Sequence, residues 1–338
     1  MLCDIVLDAV GSDKAPEPEI KGAIMAAREL PVRVHLVGPS SELRDLLDEH
    51  LENEDLPIVI HHASERIGMD EKAAHAVRTK KDSSMRVGLK LVREGKAKGF
   101  VTAGNTGAAM ATAKMVLGAL PGVDRPALAT PMPSASGNAC VLLDVGANVD
   151  CKAHNLEQFA VMGEMYARSV LKIPQPRVGL LSIGEEETKG NDLTREAFPL
   201  LKALPIKFIG NVEGRDIFSG LADVIVCDGF TGNVALKISE GLVEVMEDLL
   251  GEELSSTITM RVGSMLTRRA LRHFRRRVDY SEYGGAPLLG VAGTTIVGHG
   301  RSSAKAIRNA VALAYKFASS NSTERLEREI ASAAVPHH

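Results

Sequence analysis

The sequence predicts an α/β fold of three layers, a largely parallel sheet between two layers of helices. Two observations predict it. Short β-branched runs alternate with helical stretches almost from the first residue, and such alternation sets consecutive strands side by side with helices over both faces. The chain has 338 residues, 45% hydrophobic and 25% charged, enough to bury a large core. We expect one α/β catalytic unit over residues 1–335, with no Pro/Ser-rich hinge to divide it.

Taken in order, Cys3–Ala9, Val32–Val37, Ile58–Ala63 and Gly99–Ala103 read as strands, with helices at Glu17–Leu30 and Ser41–Leu51. Their apolar residues recur at the strand and helix periods, and capping residues precede the helical stripes. Further strands are expected at Leu128–Pro131, Cys140–Val145, Val178–Ile183, Phe208–Asn211 and Val224–Cys227, and helices at Leu156–Leu171 and Val234–Leu250. Ligands of such sheets sit at the carboxyl ends of strands, in the turns that lead into helices.

Those turns are rich in glycine, asparagine and small hydroxyl residues. They are Ala9–Asp13, Ala103–Gly107, Gly146–Asn148, Gly184–Asp192, Asp228–Asn233 and Gly298–Ser303. Backbone N–H groups at helix starts favour anions, and glycine lets an anion approach closely. A single turn of this kind is ordinary loop chemistry. Six together predict a pocket, with the turns converging at one edge of the sheet.

Composition removes several function classes. A net charge of -3 gives no global attraction to nucleic acid. Cys3, Cys140, Cys151 and Cys227 form no CxxC pair, which reads as reduced thiols in the cytoplasm. No stretch of about 18 uninterrupted apolar residues is present, so no membrane span is expected. The P-loop, the GxGxxG fingerprint, HExxH and the GxSxG elbow are all missing. What remains is an anion-binding enzyme without a covalent Ser/Cys centre, a metal or another cofactor.

At the same turns the chain resembles the phosphate acyltransferases of bacterial phospholipid synthesis. The resemblance runs through Ser84–Val92, Ala103–Ala108, Arg125–Cys151, Gly179–Phe198, Gly210–Gly220, Val226–Lys237, Asp279–Gly290 and His299–Ala310. One departure is visible: the family usually begins DAMGGD, and here the turn reads DAVGSD, keeping Asp8, Gly11 and Asp13 but placing Ser12 at the second glycine. The resemblance implies the fold of isopropylmalate dehydrogenases and phosphotransacetylases, a homodimer, and transfer of a fatty acyl group from acyl carrier protein to inorganic phosphate. A metal- and NAD-dependent β-decarboxylating dehydrogenase and a non-catalytic carrier-protein scaffold are the alternatives.

A thioester is already activated, so the enzyme must bind phosphate, aim it at the carbonyl and stabilise the oxyanion. Lys189 and Arg301 are the expected cations, and His299 the proton carrier. Asn105, Thr106, Asn148 and Asn233 can donate hydrogen bonds without charge, and Asp8 and Asp228 can orient the cations. Gly11, Asp13, Gly104, Gly107, Asn191 and Ser302 complete the expected substrate contacts. Lys189 equally fits a solvated position after an acidic run, and His299 a structural one.

Residues 254–278 carry seven arginines and no acidic residue. Ile258, Val262, Met265, Leu266 and Phe274 fall near a helical stripe, predicting a basic amphipathic helix appended to the catalytic unit. Such a helix suits an anionic membrane surface, which would hold the protein at the inner face of the cell membrane. Packing on a partner subunit and docking of the acidic carrier protein are the other readings.

Overall fold

The computed structural model describes residues 2–51, 54–137, 139–269, 284–320 and 328. Among these residues eleven strands form one sheet. They are β1 (Cys3–Asp8), β2 (Val32–Gly38), β3 (Ile58–His62), β4 (Gly99–Thr102), β5 (Ala127–Pro133), β6 (Ala139–Leu143), β7 (Arg177–Leu181), β8 (Lys207–Val212), β9 (Val224–Val226), β10 (Ala286–Leu289) and β11 (Thr294–Val297). Their order across the sheet is β3-β2-β1-β4-β11-β10-β5-β6-β9-β7-β8.

Residues alternate between the two faces, as the pleat requires. Ile5 and Leu7, Val141 and Leu143, and Val224 and Val226 belong to one core cluster. Val6, Leu142 and Ile225 between them belong to the other. Strands buried on both sides read as continuous apolar runs, which is why the nine expected strands are found near their predicted positions. Two strands escaped the sequence. Ala286–Leu289 and Thr294–Val297 are four residues each and lie between glycines, too short for a period to declare itself.

Helices cover both faces: α1 (Glu17–Glu29), α2 (Ser40–Leu51), α3 (Ala73–Thr79), α4 (Ser84–Arg93), α5 (Thr106–Val116), α6 (Ala153–Ser169), α7 (Asp192–Ala203), α8 (Asp216–Ser219), α9 (Gly229–Ser255), α10 (Ile258–Leu266) and α11 (Ala304–Ser319). Side-chain caps set several starts. Ser83, Asn105, Asn191, Asp228, Thr257 and Ser303 each accept a backbone N–H from the first turn. The Asp228 cap begins α9 five residues before the expected Val234.

The two ends of the sheet run in opposite senses. β11 is parallel to β4, while β10 is antiparallel to both β11 and β5, and β5 is antiparallel to β6. β6, β9, β7 and β8 are mutually parallel. Register brings the halves together: Val297 sits beside Ala286, Leu128 beside Leu288, and Leu143 beside Ala129. The carboxyl ends of β11 and β6 therefore reach one level from opposite directions. Five of the six glycine turns converge on this central seam and not on one edge of the sheet, because two antiparallel strands reverse the second half; the sixth, Gly184–Asp192, follows β7 and lies outside it.

The arginine-rich segment is divided. Leu254 and Ser255 close α9, and α10 begins after the Thr257 cap, so the predicted continuous helix is interrupted at Ser256 and Thr257. Ile258 and Val262 lie in α10. Phe274 and Val278 lie outside the described residues.

Candidate active site

A cleft of about 690 Å³ opens at the seam. Among the expected site residues, Asp13, Thr106, Gly107, Asn233, His299, Arg301 and Ser302 line it. The starts of α5 and α11 border it through Thr106 and Ser303, and α9 borders it through Asn233, Leu236, Lys237 and Glu240. Two helix N-termini at one cavity favour an anion there through their backbone dipoles.

The floor of the first half is fixed by Asp8. Its fully buried carboxylate accepts from the Thr102 hydroxyl at 2.7 Å and from the Val10 N–H at 3.2 Å. Burial pushes this carboxyl above its usual range, and these donors act against that shift. Gly11 fits only as glycine, since a Cβ there would lie 2.8 Å from Asp8 Oδ2 and 2.9 Å from the Gly104 nitrogen. Ser12, the departure from DAMGGD, donates its N–H to buried Glu19 at 3.1 Å, a carboxyl that burial raises to about 7. Asp13 N–H then reaches the Gly300 carbonyl at 2.9 Å, joining the turn after β1 to the turn after β11.

The second half repeats the device. Asp144 follows β6 as Asp8 ends β1, and it too is fully buried. Oδ1 accepts the N–H groups of Leu128, Gly146 and Ala147 at 2.9, 3.3 and 3.0 Å. Oδ2 accepts Asn148 N–H at 2.6 Å and its side-chain amide at 3.0 Å. The turn is locked onto α9: a Cβ at Gly229 would meet the Asn148 carbonyl at 2.6 Å, and one at Gly232 the Asp144 carbonyl at 1.9 Å. Sequence reasoning passed over Asp144. The signal was the likeness of Leu7-Asp8-Ala9-Val10-Gly11 to Leu143-Asp144-Val145-Gly146, two apolar strands each closing on a carboxylate.

Several expected substrate contacts are instead engaged within the protein. Asn105 caps α5 and donates to the carbonyls of Met69 and Glu71 at 2.9 and 3.0 Å. Asp228 accepts both the N–H and the hydroxyl of Thr231. Asn148 donates to the Pro126 carbonyl at 2.8 Å as well as to Asp144. Gly104 lies under the cleft, its N–H on the Thr102 hydroxyl.

Lys189 and Asn191 are not brought into the cleft. They follow β7, which β9 separates from β6 in the sheet. Lys189 is exposed, and Asn191 caps α7. The lysine that lines the cleft is Lys237, on α9 one turn after Asn233. Its ammonium lies 2.8 Å from Glu240 and 3.5 Å from His299 Nε2. Arg301 stands at the rim, paired with Glu244 at 3.1 Å. Burial first, then the Lys237 charge, holds the His299 imidazole below its usual pKa. Apart from Thr130 the rest of the wall is apolar, including Met110, Leu128, Val145 and Leu236. Among the described residues no group of three or more His, Cys, Asp or Glu side chains is arranged to hold a metal.

Comparisons with known proteins identify a family and a fold. A profile of the family described as "Fatty acid synthesis protein" matches residues 3–325. The chain is 68% identical over 337 residues to a phosphate acyltransferase of Acidobacterium capsulatum, covering 100% of both chains. Among solved structures it resembles a phosphotransacetylase from Streptococcus pyogenes, with a TM-score of 0.62, 18% identity, and 96% and 94% of the two chains covered. A 4-hydroxythreonine-4-phosphate dehydrogenase from Klebsiella pneumoniae is similar with a TM-score of 0.55 at 13% identity, covering 94% of this chain and 98% of that one. At such identities the structural likenesses establish the fold, a three-layer α/β/α, and not the chemistry.

Proposed function

The chain belongs to the phosphate acyltransferase family, and from that premise we propose that it takes a fatty acyl group from an acyl carrier protein thioester and places it on inorganic phosphate at the central cleft. The observation that carries this reading is the division of the cleft wall. Two helix starts with Lys237 and Arg301 suit an oxyanion, and Met110, Leu128, Val145 and Leu236 suit an aliphatic chain. A phosphate oxygen attacks the thioester carbon, a C–O bond forms, and the C–S bond breaks. The proton of hydrogen phosphate ends on the departing thiol, so the reaction balances as acyl phosphate plus free carrier. No redox step enters, and the dehydrogenase alternative is set aside.

The fused sheet supports a single catalytic unit. The homodimer is supported by α9, whose Phe230, Val234, Ile238, Leu242, Val245 and Leu249 form an exposed apolar stripe. Peripheral contact with an anionic membrane on its cytoplasmic side is supported by α10. Met260, Met265 and Leu266 are 50%, 78% and 82% exposed, and Arg268 and Arg269 follow them. No described helix is long and apolar enough to cross a membrane. Incubation of purified protein with acyl carrier protein thioester and phosphate tests the reading: acyl phosphate and free thiol appear together. Turnover that required NAD, or none under these conditions, would refute it.

A further inference from the structure

The segment between β3 and α4 carries positive charge that the cleft does not use. Lys72, which precedes α3, and His75 and Arg78 within it recur every three residues, and residues so spaced lie along one side of a helix. All three are exposed, as is Lys81 just beyond the helix. Ala76 and Val77 are buried. Lys72, Arg78 and Lys81 make no ion pair among the described residues. Lys80 is neutralised by Glu71, which leaves exposed Asp70 as the nearest opposing carboxylate in the segment.

This stripe stands at the mouth of the cleft. The Asn105 amide donates to the carbonyls of Met69 and Glu71 at 2.9 and 3.0 Å. That ties the approach to α3 to a helix whose first residues, Thr106 and Gly107, line the cleft. α3 packs closely there, since a Cβ on Gly107 would lie 3.1 Å from the Ala73 Cβ. Met69 is itself a lining residue, 41% exposed, and a Cβ on Gly300 would meet its Cε at 2.7 Å. The cations thus begin three residues after a side chain of the cleft wall. Ala74 is the sole exposed apolar residue of α3, so the stripe offers a bilayer nothing to insert, unlike Met265 and Leu266 of α10. A cationic, polar face of this kind suits an acidic protein surface.

We propose that Lys72, Arg78 and Lys81 dock the acidic carrier protein, so that the thioester on its prosthetic arm enters the cleft past Met69. This rests on the carrier-protein thioester being the acyl donor. The contact is between solvated groups, so it steers encounter and sets orientation more than it holds. Each exposed pair contributes modestly, which suits a carrier that must leave after every turnover.

The test sets the carrier protein against a thioester with no protein attached. Steady-state kinetics give KM and kcat for acylated carrier protein, acyl-pantetheine and phosphate, and surface plasmon resonance gives the binding of acylated carrier protein. The variants are Lys72→Glu, Arg78→Glu and Lys81→Glu, singly and together. A triple Lys72→Gln, Arg78→Gln, Lys81→Gln variant, which removes charge without adding any, decides the matter if the reversed triple does not fold. We expect each single reversal to raise the carrier-protein KM roughly twofold to fivefold, and the reversed triple roughly tenfold or more. The KM for phosphate and the kcat/KM for acyl-pantetheine stay within about twofold. Added salt weakens carrier binding to the native protein and affects the triple variants less. Arg268→Glu with Arg269→Glu, the rival basic patch, leaves the carrier-protein KM within about twofold. An unchanged carrier-protein KM in the folded triple variants overturns the proposal. An equal loss on acyl-pantetheine also overturns it, because the stripe then shapes the cleft. Loss of sedimentation with anionic vesicles, with carrier binding intact, overturns it in favour of a membrane contact. If native protein makes no acyl phosphate from either thioester, the proposed function fails while the binding measurements still decide the docking surface.

Discussion

Replacing Asp144 with asparagine tests how the second half of the cleft is held. The side chains are isosteric, so no cavity forms. The Asn oxygen can keep the three N–H bonds now made to Oδ1, from Leu128, Gly146 and Ala147. The new amide nitrogen then faces Asn148 N–H and the Asn148 side-chain amide, which now lie 2.6 and 3.0 Å from Oδ2. Two hydrogen bonds to a charged acceptor are lost and two donors are opposed by a third. A buried polar group left unsatisfied costs about 1–3 kcal/mol, and the Asn148 side chain recovers part of this by turning to the Pro126 carbonyl. We expect Asp144→Asn to destabilise the protein by about 2–4 kcal/mol, read as a lower urea midpoint at unchanged slope. Asn148→Ala in the same background should return part of the loss by removing one opposed donor. A midpoint for Asp144→Asn indistinguishable from the native one would refute the account of Asp144 as the anchor of this turn.

On α10, Met260→Ser, Met265→Ser and Leu266→Ser together should abolish sedimentation with anionic vesicles while leaving turnover on soluble substrate; retained vesicle binding would move the membrane contact elsewhere. On α9, Ile238→Glu with Val245→Glu should give monomers in analytical ultracentrifugation, because two charges then interrupt the apolar stripe. The pair His35–His61, joined at 2.8 Å with Asp4 on the far ring nitrogen at 2.9 Å, predicts a pH effect. Burial, then His35 and Lys96, lowers the His61 pKa from 6.5. The unfolded chain therefore binds the proton more readily, and the contribution of His61 is intact above about 6.5 and lost as pH falls through the lower folded value. His61→Gln should flatten the fall in urea midpoint between roughly pH 7 and pH 5, and an unaltered slope would remove His61 from the explanation.

Much of the fold was legible because strand burial leaves a local trace. Val6 and Leu7 face different cores, yet both are apolar, and the run between polar turns declares the strand. The glycine turns were legible for a similar reason, since Gly11 and Gly232 answer close approaches that no side chain tolerates. The position of one strand relative to another across the sheet leaves no such trace. The turn holding Lys189 has the same composition as the others, but its strand lies beyond β9. Lys237 was hidden by the opposite effect. It sits inside a helix, where a lysine ordinarily marks solvent, and only the Asp228 cap and the contact with His299 place it at the cleft.

The 27 residues of α9 make a rod of about 40 Å at 1.5 Å per residue. Only Gly229 and Gly232, in its first turn, are buried. Within one protomer the rod is set at the Asp144 turn, with Lys237 close to that end and α10 at the other. A tilt of about 5° at the Asp144 turn moves the helix by about 1 Å at Lys237 and by about 3.5 Å at the far end. Cleft and tip share one mechanical element, so the angle set by two glycines beside Asp144 fixes where the tip stands.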